Sequence, residues 1–159
     1  MFNVEMYQGK KDENYALVQK QLVALIEDEP NMIANLSNSA ALLNQFLSDI
    51  NWVGFYLVEK DQLVLGPFQG LPACVRISMG KGVCGTSAAE RKTMRVEDVH
   101  KFPGHIACDA ATRSEIVIPL IKDGNLIGVL DIDSPITNRF DESDQQGLEK
   151  FTDTLSKYL

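Results

Sequence analysis

The sequence predicts an α+β fold: an antiparallel sheet of about six strands with helices packed mainly on one of its faces. Long segments with apolar residues at helical spacing stand at both ends of the chain. Short runs rich in β-branched and aromatic residues fill its middle, and helices and strands nowhere alternate in the manner of a parallel sheet. The 159 residues, 45% hydrophobic and 23% charged, suit one globular domain over 1–159 with a sizeable core.

From Lys11 to about Asp28, Tyr15, Leu17, Val18, Leu22, Leu25 and Ile26 recur at helical spacing until Pro30 stops the pattern. Asn31 caps a second helix running to about Ser48, with Ile33, Leu36, Leu43, Phe46 and Leu47 on its inner side. Trp52 to Glu59, Gln62 to Phe68 and Cys74 to Ser78 read as antiparallel strands, separated by Lys60-Asp61 and by Gly70-Leu71-Pro72. The glycine-rich segment Gly80 to Thr86 leads into the helix-prone Ser87 to Glu90, and a short strand follows near Thr93 to Val96. Glu97 to Thr112 has little periodicity, and a loop of that length within a compact domain is usually functional or disordered. Glu115 to Ile121 and Leu126 to Asp133 flank Asp123-Gly124, a strong hairpin signal. Asp141 to Tyr158 closes the chain as a long helix with Leu148, Phe151, Leu155 and Tyr158 on one side.

Several function classes fall away on bulk properties. A formal net charge of -7 argues against nucleic-acid binding, which needs clustered Lys and Arg; the richest basic stretch, Glu90 to Arg95, reads as a solvated helix end. No apolar run approaches the roughly 20 residues of a membrane span. Met1 to Asp12 is polar and charged where a signal peptide would carry an apolar core, so a cytoplasmic protein is expected. The three cysteines are too few for a secreted disulfide framework, and their spacing, like that of His100 and His105, matches no zinc motif; no metal is expected.

Cys74, Cys84 and Cys108 nevertheless cluster in the middle third of the chain. A thiol reacts as thiolate, which positive charge or a helix N-terminus favours. Cys84 sits where a helix begins, so backbone N–H groups there could stabilise its anion or hold a ligand carboxylate. Cys108 has His105 three residues before it, which would lower its pKa, and Asp109 after it, which would raise it. For each cysteine, burial as a small apolar residue is the competing account.

Asp131 and Asp133 lie two apart on a strand and so share a face. They either mark the strand's emergence from the core or line a cleft suited to an ammonium group, where one could stay protonated as an acid. A regular two- or four-residue hairpin loop pairs Glu115 with Ile132 and turns its side chain away from both aspartates. Convergence requires a three-residue loop, a bulge, or Glu115 outside the regular strand; Pro119, which cannot donate to a ladder, favours an irregularity. Trp52 and Tyr56, four apart, also share a face, as core residues or as the wall of a site.

Seven strings, Gly66-Pro-Phe-Gln-Gly70, Ala73-Cys-Val-Arg-Ile77, Gly80-Lys-Gly-Val-Cys-Gly-Thr86, Val96-Glu-Asp-Val-His100, Gly104-His-Ile-Ala-Cys-Asp-Ala110, Ser114-Glu-Ile-Val-Ile-Pro119 and Ile127-Gly-Val-Leu-Asp-Ile-Asp133, together resemble the free methionine-(R)-sulfoxide reductases, built on the GAF fold. The resemblance runs from about residue 12 to the end. It implies that Cys108 is the catalytic cysteine that attacks the sulfoxide sulfur, Cys74 the principal resolving cysteine, and Cys84 an accessory one. It implies that Glu115, Asp131 and Asp133 bind the substrate ammonium and assist at the sulfoxide, with Trp52 and Tyr56 as an aromatic wall around its methyl end. It further implies a homodimer, no bound cofactor, and recycling by a thioredoxin-type reductant drawing ultimately on NADPH. The alternative is a stand-alone GAF small-ligand sensor whose cysteines are structural or redox-sensing.

Overall fold

A computed structural model describes residues 7–105 and 108–159; the first six residues of the polar N-terminus, and residues 106 and 107 of the Cys108 loop, lie outside the described residues. The elements run α1 (Lys11–Ile26), α2 (Met32–Phe46), β1 (Trp52–Glu59), β2 (Gln62–Gly70), β3 (Arg76–Ser78), α3 (Gly82–Glu90), β4 (Met94–Val96), a 3-10 turn (Val99–Lys101), β5 (Ser114–Lys122), β6 (Asn125–Ser134) and α4 (Glu142–Lys157). The strands form one antiparallel sheet in the order β3-β2-β1-β6-β5-β4, which bears out the α+β expectation. None of the helices described is long and apolar enough to cross a membrane.

Alternation along the strands sorts side chains to two faces. Val53, Phe55, Ile116, Ile118, Leu130 and Ile132 point to one face and build the main core with Val18, Leu22, Ile26, Leu36, Leu43, Leu148, Phe151 and Leu155 of α1, α2 and α4. Trp52, Tyr56, Val117 and Val129 point to the other, where α3 supplies Val83, Cys84 and Ala88.

Three expected details change. Ile33 is 54% exposed rather than inward: the buried stripe of α2 centres on Leu36, Ser39 and Leu43, and Ile33 lies roughly 90° around the helix from it. The third strand begins at Arg76, because Ala73 to Val75 runs beside the sheet instead of within the ladder. The glycine-rich segment is itself helical from Gly82. Gly85 permits this, since a Cβ there would stand 2.4 Å from the Ser78 carbonyl oxygen against which the helix abuts.

The register of the last hairpin matters most for the site. Asp123 and Gly124 both have positive φ, the two-residue turn that pairs Lys122 with Asn125 and Ile121 with Leu126. Leu120 then pairs with Gly128, so Ile127 is an extra residue and the ladder is bulged. From there to the strand end the register is shifted by one, and Glu115 opposes Asp133 instead of Ile132.

Outside the sheet, buried Asp144 ties α4 to α1. It accepts hydrogen bonds from the Tyr15 hydroxyl at 2.7 Å and Lys11 Nζ at 2.8 Å, pairs with Arg139, and completes a reciprocal cap with Asp141. That cap and Lys11 hold the Asp141 carboxyl down to about 2. Asp144→Ala strips partners from buried Tyr15 and partly buried Arg139 together, so urea denaturation should show a loss of about 3 kcal/mol.

Candidate active site

β1, β6 and β5 lie side by side, and their cross-strand partners assemble the site row by row. Asp133 stands between Trp52 and Glu115, and Asp131 between Gly54 and Val117. The shifted ladder therefore brings Glu115, Asp131 and Asp133 to one face, beside Trp52 and Tyr56. These five residues, Cys84 and Cys108 line one cavity of about 50 Å³. At about 10–15 Å³ per water, that space holds only a few water molecules.

Two irregular segments roof the cavity. The first, Leu71 to Val75, is fastened by the aromatic wall beneath it: Trp52 Nε1 donates to the Leu71 carbonyl at 3.1 Å, and the Tyr56 hydroxyl to the Cys74 carbonyl at 2.8 Å. Trp52 is itself stacked between Phe68 and Tyr56, with ring centroids 5.1 and 5.9 Å away. The second segment carries Cys108. Asn51 Nδ2 donates to Asp109 Oδ2 at 2.9 Å and to Thr112 Oγ1 at 3.1 Å, while the Ala111 N–H donates to Asp109 Oδ1 at 2.8 Å. Asp109 is thus engaged in shaping its own loop. Cys74 and Cys108, 34 residues apart, are joined by a disulfide with their Cα atoms 5.8 Å apart; Cys84 is a free, buried thiol.

Inside the cavity the dominant physical fact is crowded, dehydrated acid. Burial first, then repulsion from the two aspartates, pushes the Glu115 carboxyl well above the usual carboxylate range. Burial raises Asp131 and, together with the neighbouring Asp131, lifts Asp133 far. Among the described residues, Asp131 Oδ1 and Asp133 Oδ1 are buried without a hydrogen-bond partner. The shared environment thus favours the protonated form at all three groups, and oxygens without donors face the same cavity.

Cys84 corrects an expectation. It lies in the first turn of α3, yet burial and the adjacent carboxylates push its thiol well up, outweighing any help from the helix N-terminus. Its Sγ lies 4.0 Å from Glu115 Oε2, and Cys84, Glu115 and Asp131 hold their potential ligand atoms within 4.8 Å of one another. With thiol and carboxyls favouring their protonated forms, this set suits a cation that brings its own hydrogen-bond donors, such as an ammonium, better than a bare metal ion. His105 also lines the cavity, its Nε2 4.0 Å from Glu115 Oε1, and burial lowers its pKa.

The structure brings together every residue singled out from the sequence: Cys74 and Cys108 in the roof, Cys84 in α3, and Glu115, Asp131, Asp133, Trp52 and Tyr56 on the sheet. Sequence reasoning missed Asn51 and Thr112, which hold the Cys108 loop. The Asp109-Ala-Ala-Thr112 turn was the available signal, since an aspartate bonding the N–H two residues on is a recurrent loop former.

A GAF domain model matches residues 31–159. The free methionine-R-sulfoxide reductase of Escherichia coli is 54% identical over 149 residues, covering 94% of this chain and 90% of that protein. The chain belongs to the free methionine-R-sulfoxide reductase family. Two solved structures of this reductase family in complex with substrate are also similar. That of fRMsr of Staphylococcus aureus has a TM-score of 0.88 at 60% identity, over 92% of this chain and 95% of that one. That of free methionine-R-sulfoxide reductase from Neisseria meningitidis has a TM-score of 0.90 at 46% identity, over 94% and 90% respectively. The GAF fold expected from the sequence strings is thereby borne out.

The acid cluster makes a pH prediction for the protein without ligand. These carboxyls have folded pKa values above their unfolded ones, so their contribution is fully favourable only below about pH 4, the unfolded range. It is lost progressively as pH rises through the raised values. Glu115→Gln removes one such group, so the variant's stability relative to the parent should improve between pH 5 and pH 8. Urea midpoints at the two pH values check this; a difference independent of pH would mean that Glu115 is not held protonated.

Proposed function

We propose that this chain reduces free L-methionine-(R)-sulfoxide to L-methionine in the cytoplasm, with electrons from a thioredoxin-type dithiol supplied ultimately by NADPH. The observation that carries the reading is the Cys74–Cys108 disulfide, formed at the mouth of a cavity lined by buried carboxyls, two of whose oxygens lack a donor among the described residues. The family relation and the substrate-bound relatives support the same assignment.

The chemistry follows from the groups at hand. The Cys108 thiolate attacks the sulfoxide sulfur while a protonated carboxyl of the Glu115, Asp131 and Asp133 cluster donates to the departing oxygen. The protonated oxygen passes as hydroxyl to Cys108 Sγ as the bond between the two sulfurs breaks, so methionine leaves with that electron pair and Cys108 is left as a sulfenic acid. Cys74 attacks that sulfur, water departs, and the disulfide results. Cys84, close to the carboxyls, stands as an accessory thiol. An external dithiol then restores both thiols by exchange.

Substrate selection uses the same walls. The ammonium meets the ionised members of the acid cluster while one carboxyl keeps the proton it donates to the sulfoxide oxygen, and Trp52 and Tyr56 enclose the methyl end. The N-terminus of α3, whose Gly82 and Val83 line the cavity, offers backbone N–H groups to the carboxylate. A methionine sulfoxide within a peptide has neither charge and forfeits both contacts. Room for the substrate requires reduction of the disulfide and displacement of the loop carrying Cys108. A homodimer, checked by sedimentation, is part of the same reading.

The deciding assay mixes the reduced protein with each epimer of free methionine sulfoxide, thioredoxin, thioredoxin reductase and NADPH. NADPH consumption should occur with the R epimer; none in folded, reduced protein removes the reading. Cys108→Ser should abolish turnover, and Cys74→Ser should complete a first reduction but stall on recycling. Asp133→Asn should raise KM for the sulfoxide by about 100-fold, the usual scale for losing one partner of a buried charged contact.

A further inference from the structure

We propose that Leu71, Pro72 and Val75 form the docking platform for the protein dithiol that reduces the Cys74–Cys108 disulfide, and that this donor attacks Cys108. The inference rests on the thiol-recycling part of the function proposed above and adds the surface on which the recycling partner sits.

Two independent observations converge on this surface. Among the described residues six large apolar side chains are exposed, and two of them, Leu71 at 63% and Val75 at 60%, flank Cys74 in sequence. Pro72 between them is exposed as well. Exposed apolar side chains scattered singly need no explanation, but a group set against a redox disulfide marks a contact face.

The second observation is that the segment is held from below along its length. The Leu71 carbonyl accepts from Trp52 Nε1, the Cys74 carbonyl from the Tyr56 hydroxyl at 2.8 Å, and the Val75 carbonyl from the Leu65 N–H at 2.9 Å. Its backbone acceptors are engaged inward while its apolar side chains face out. A partner therefore meets a surface already ordered, and little freedom is lost on docking.

The disulfide identifies the partner's chemistry. Exchange requires a thiolate to reach a sulfur along the S–S axis, so the donor must contact this region directly. Cys108 is exposed and Cys74 half-buried, which makes Cys108 the open point of attack. A donor thiolate bonds to Cys108 Sγ, the S–S bond breaks, and the electron pair passes to Cys74 Sγ, which takes up a proton. The donor's second thiol loses its proton and attacks the mixed disulfide. Cys108 departs as thiolate, and the donor leaves carrying both sulfurs oxidised. The two electrons come from the donor dithiol. The occupant is accordingly a protein whose dithiol lies within an apolar face, of the thioredoxin type.

The test uses the full-length oxidised protein without any sulfoxide. Reduction of its disulfide is followed by quenched alkylation and mass measurement, with either thioredoxin or dithiothreitol as donor. The doubly substituted Leu71→Ser, Val75→Thr protein should be reduced about tenfold more slowly by limiting thioredoxin, a loss typical of truncating central apolar contacts. Its reduction by dithiothreitol should be unchanged. Equal rates with thioredoxin for parent and variant would overturn the platform, and so would a matching loss with both donors, which would place the effect in the disulfide itself. A thioredoxin lacking its second thiol should be trapped on Cys108; trapping on Cys74 would overturn the assigned point of attack. A failure of the sulfoxide reading is registered separately, as absent NADPH consumption in the assay with the two epimers.

Discussion

A single extra residue in β6 governs the chemistry available to this molecule. Side chains on a strand alternate between faces, so without the bulge at Ile127 the partner of Asp133 would be a residue of the opposite parity, and Glu115 would point toward α4. With it, three carboxyls occupy adjacent rows on neighbouring strands, against the aromatic pair of β1. The crowding of the acids and the location of the cavity both derive from that register.

Gathering three acids in a buried space opposes folding, and the rest of the molecule offsets the strain. The opposite face of the sheet is covered by α1, α2 and α4, which bury a continuous apolar core. The Asp144 network fastens the first helix to the last. This division, with stability concentrated on one face and frustrated polar groups on the other, is the usual relation between a scaffold and a site that must bind something. The ammonium of the proposed substrate would relieve the frustration by supplying the donors that Asp131 and Asp133 lack among the described residues.

Much of this was legible in the sequence because it rests on local rules. Helical spacing in α1 and α4, the Asn31 cap, the span of β1 from Trp52 to Glu59 and the Asp123-Gly124 turn all follow from residue type and period. The common face of Asp131 and Asp133 follows from the same period. The alignment of Glu115 with them did not, since a bulge is one residue long and depends on pairing between strands. Only the resemblance to a family joined these acids beforehand. Glycines hid the start of α3, because their weak helix preference is overridden by contact with the 78–80 backbone. The turn at Asp109 was a local signal for the loop, but its tether to Asn51 was not, since Asp109 and Thr112 lie 58 and 61 positions from Asn51 along the chain.

The placement of Trp52 makes the protein its own optical gauge. It is the sole indole of the chain, and it is stacked in the cavity wall with its ring nitrogen bonded to the segment that leads to Cys74. Emission excited at wavelengths tyrosine does not absorb therefore originates from this one location. On the proposed mechanism, sulfur chemistry overhead and occupancy beneath would both alter the surroundings of that fluorophore, and the catalytic cycle could be watched in the unlabelled molecule.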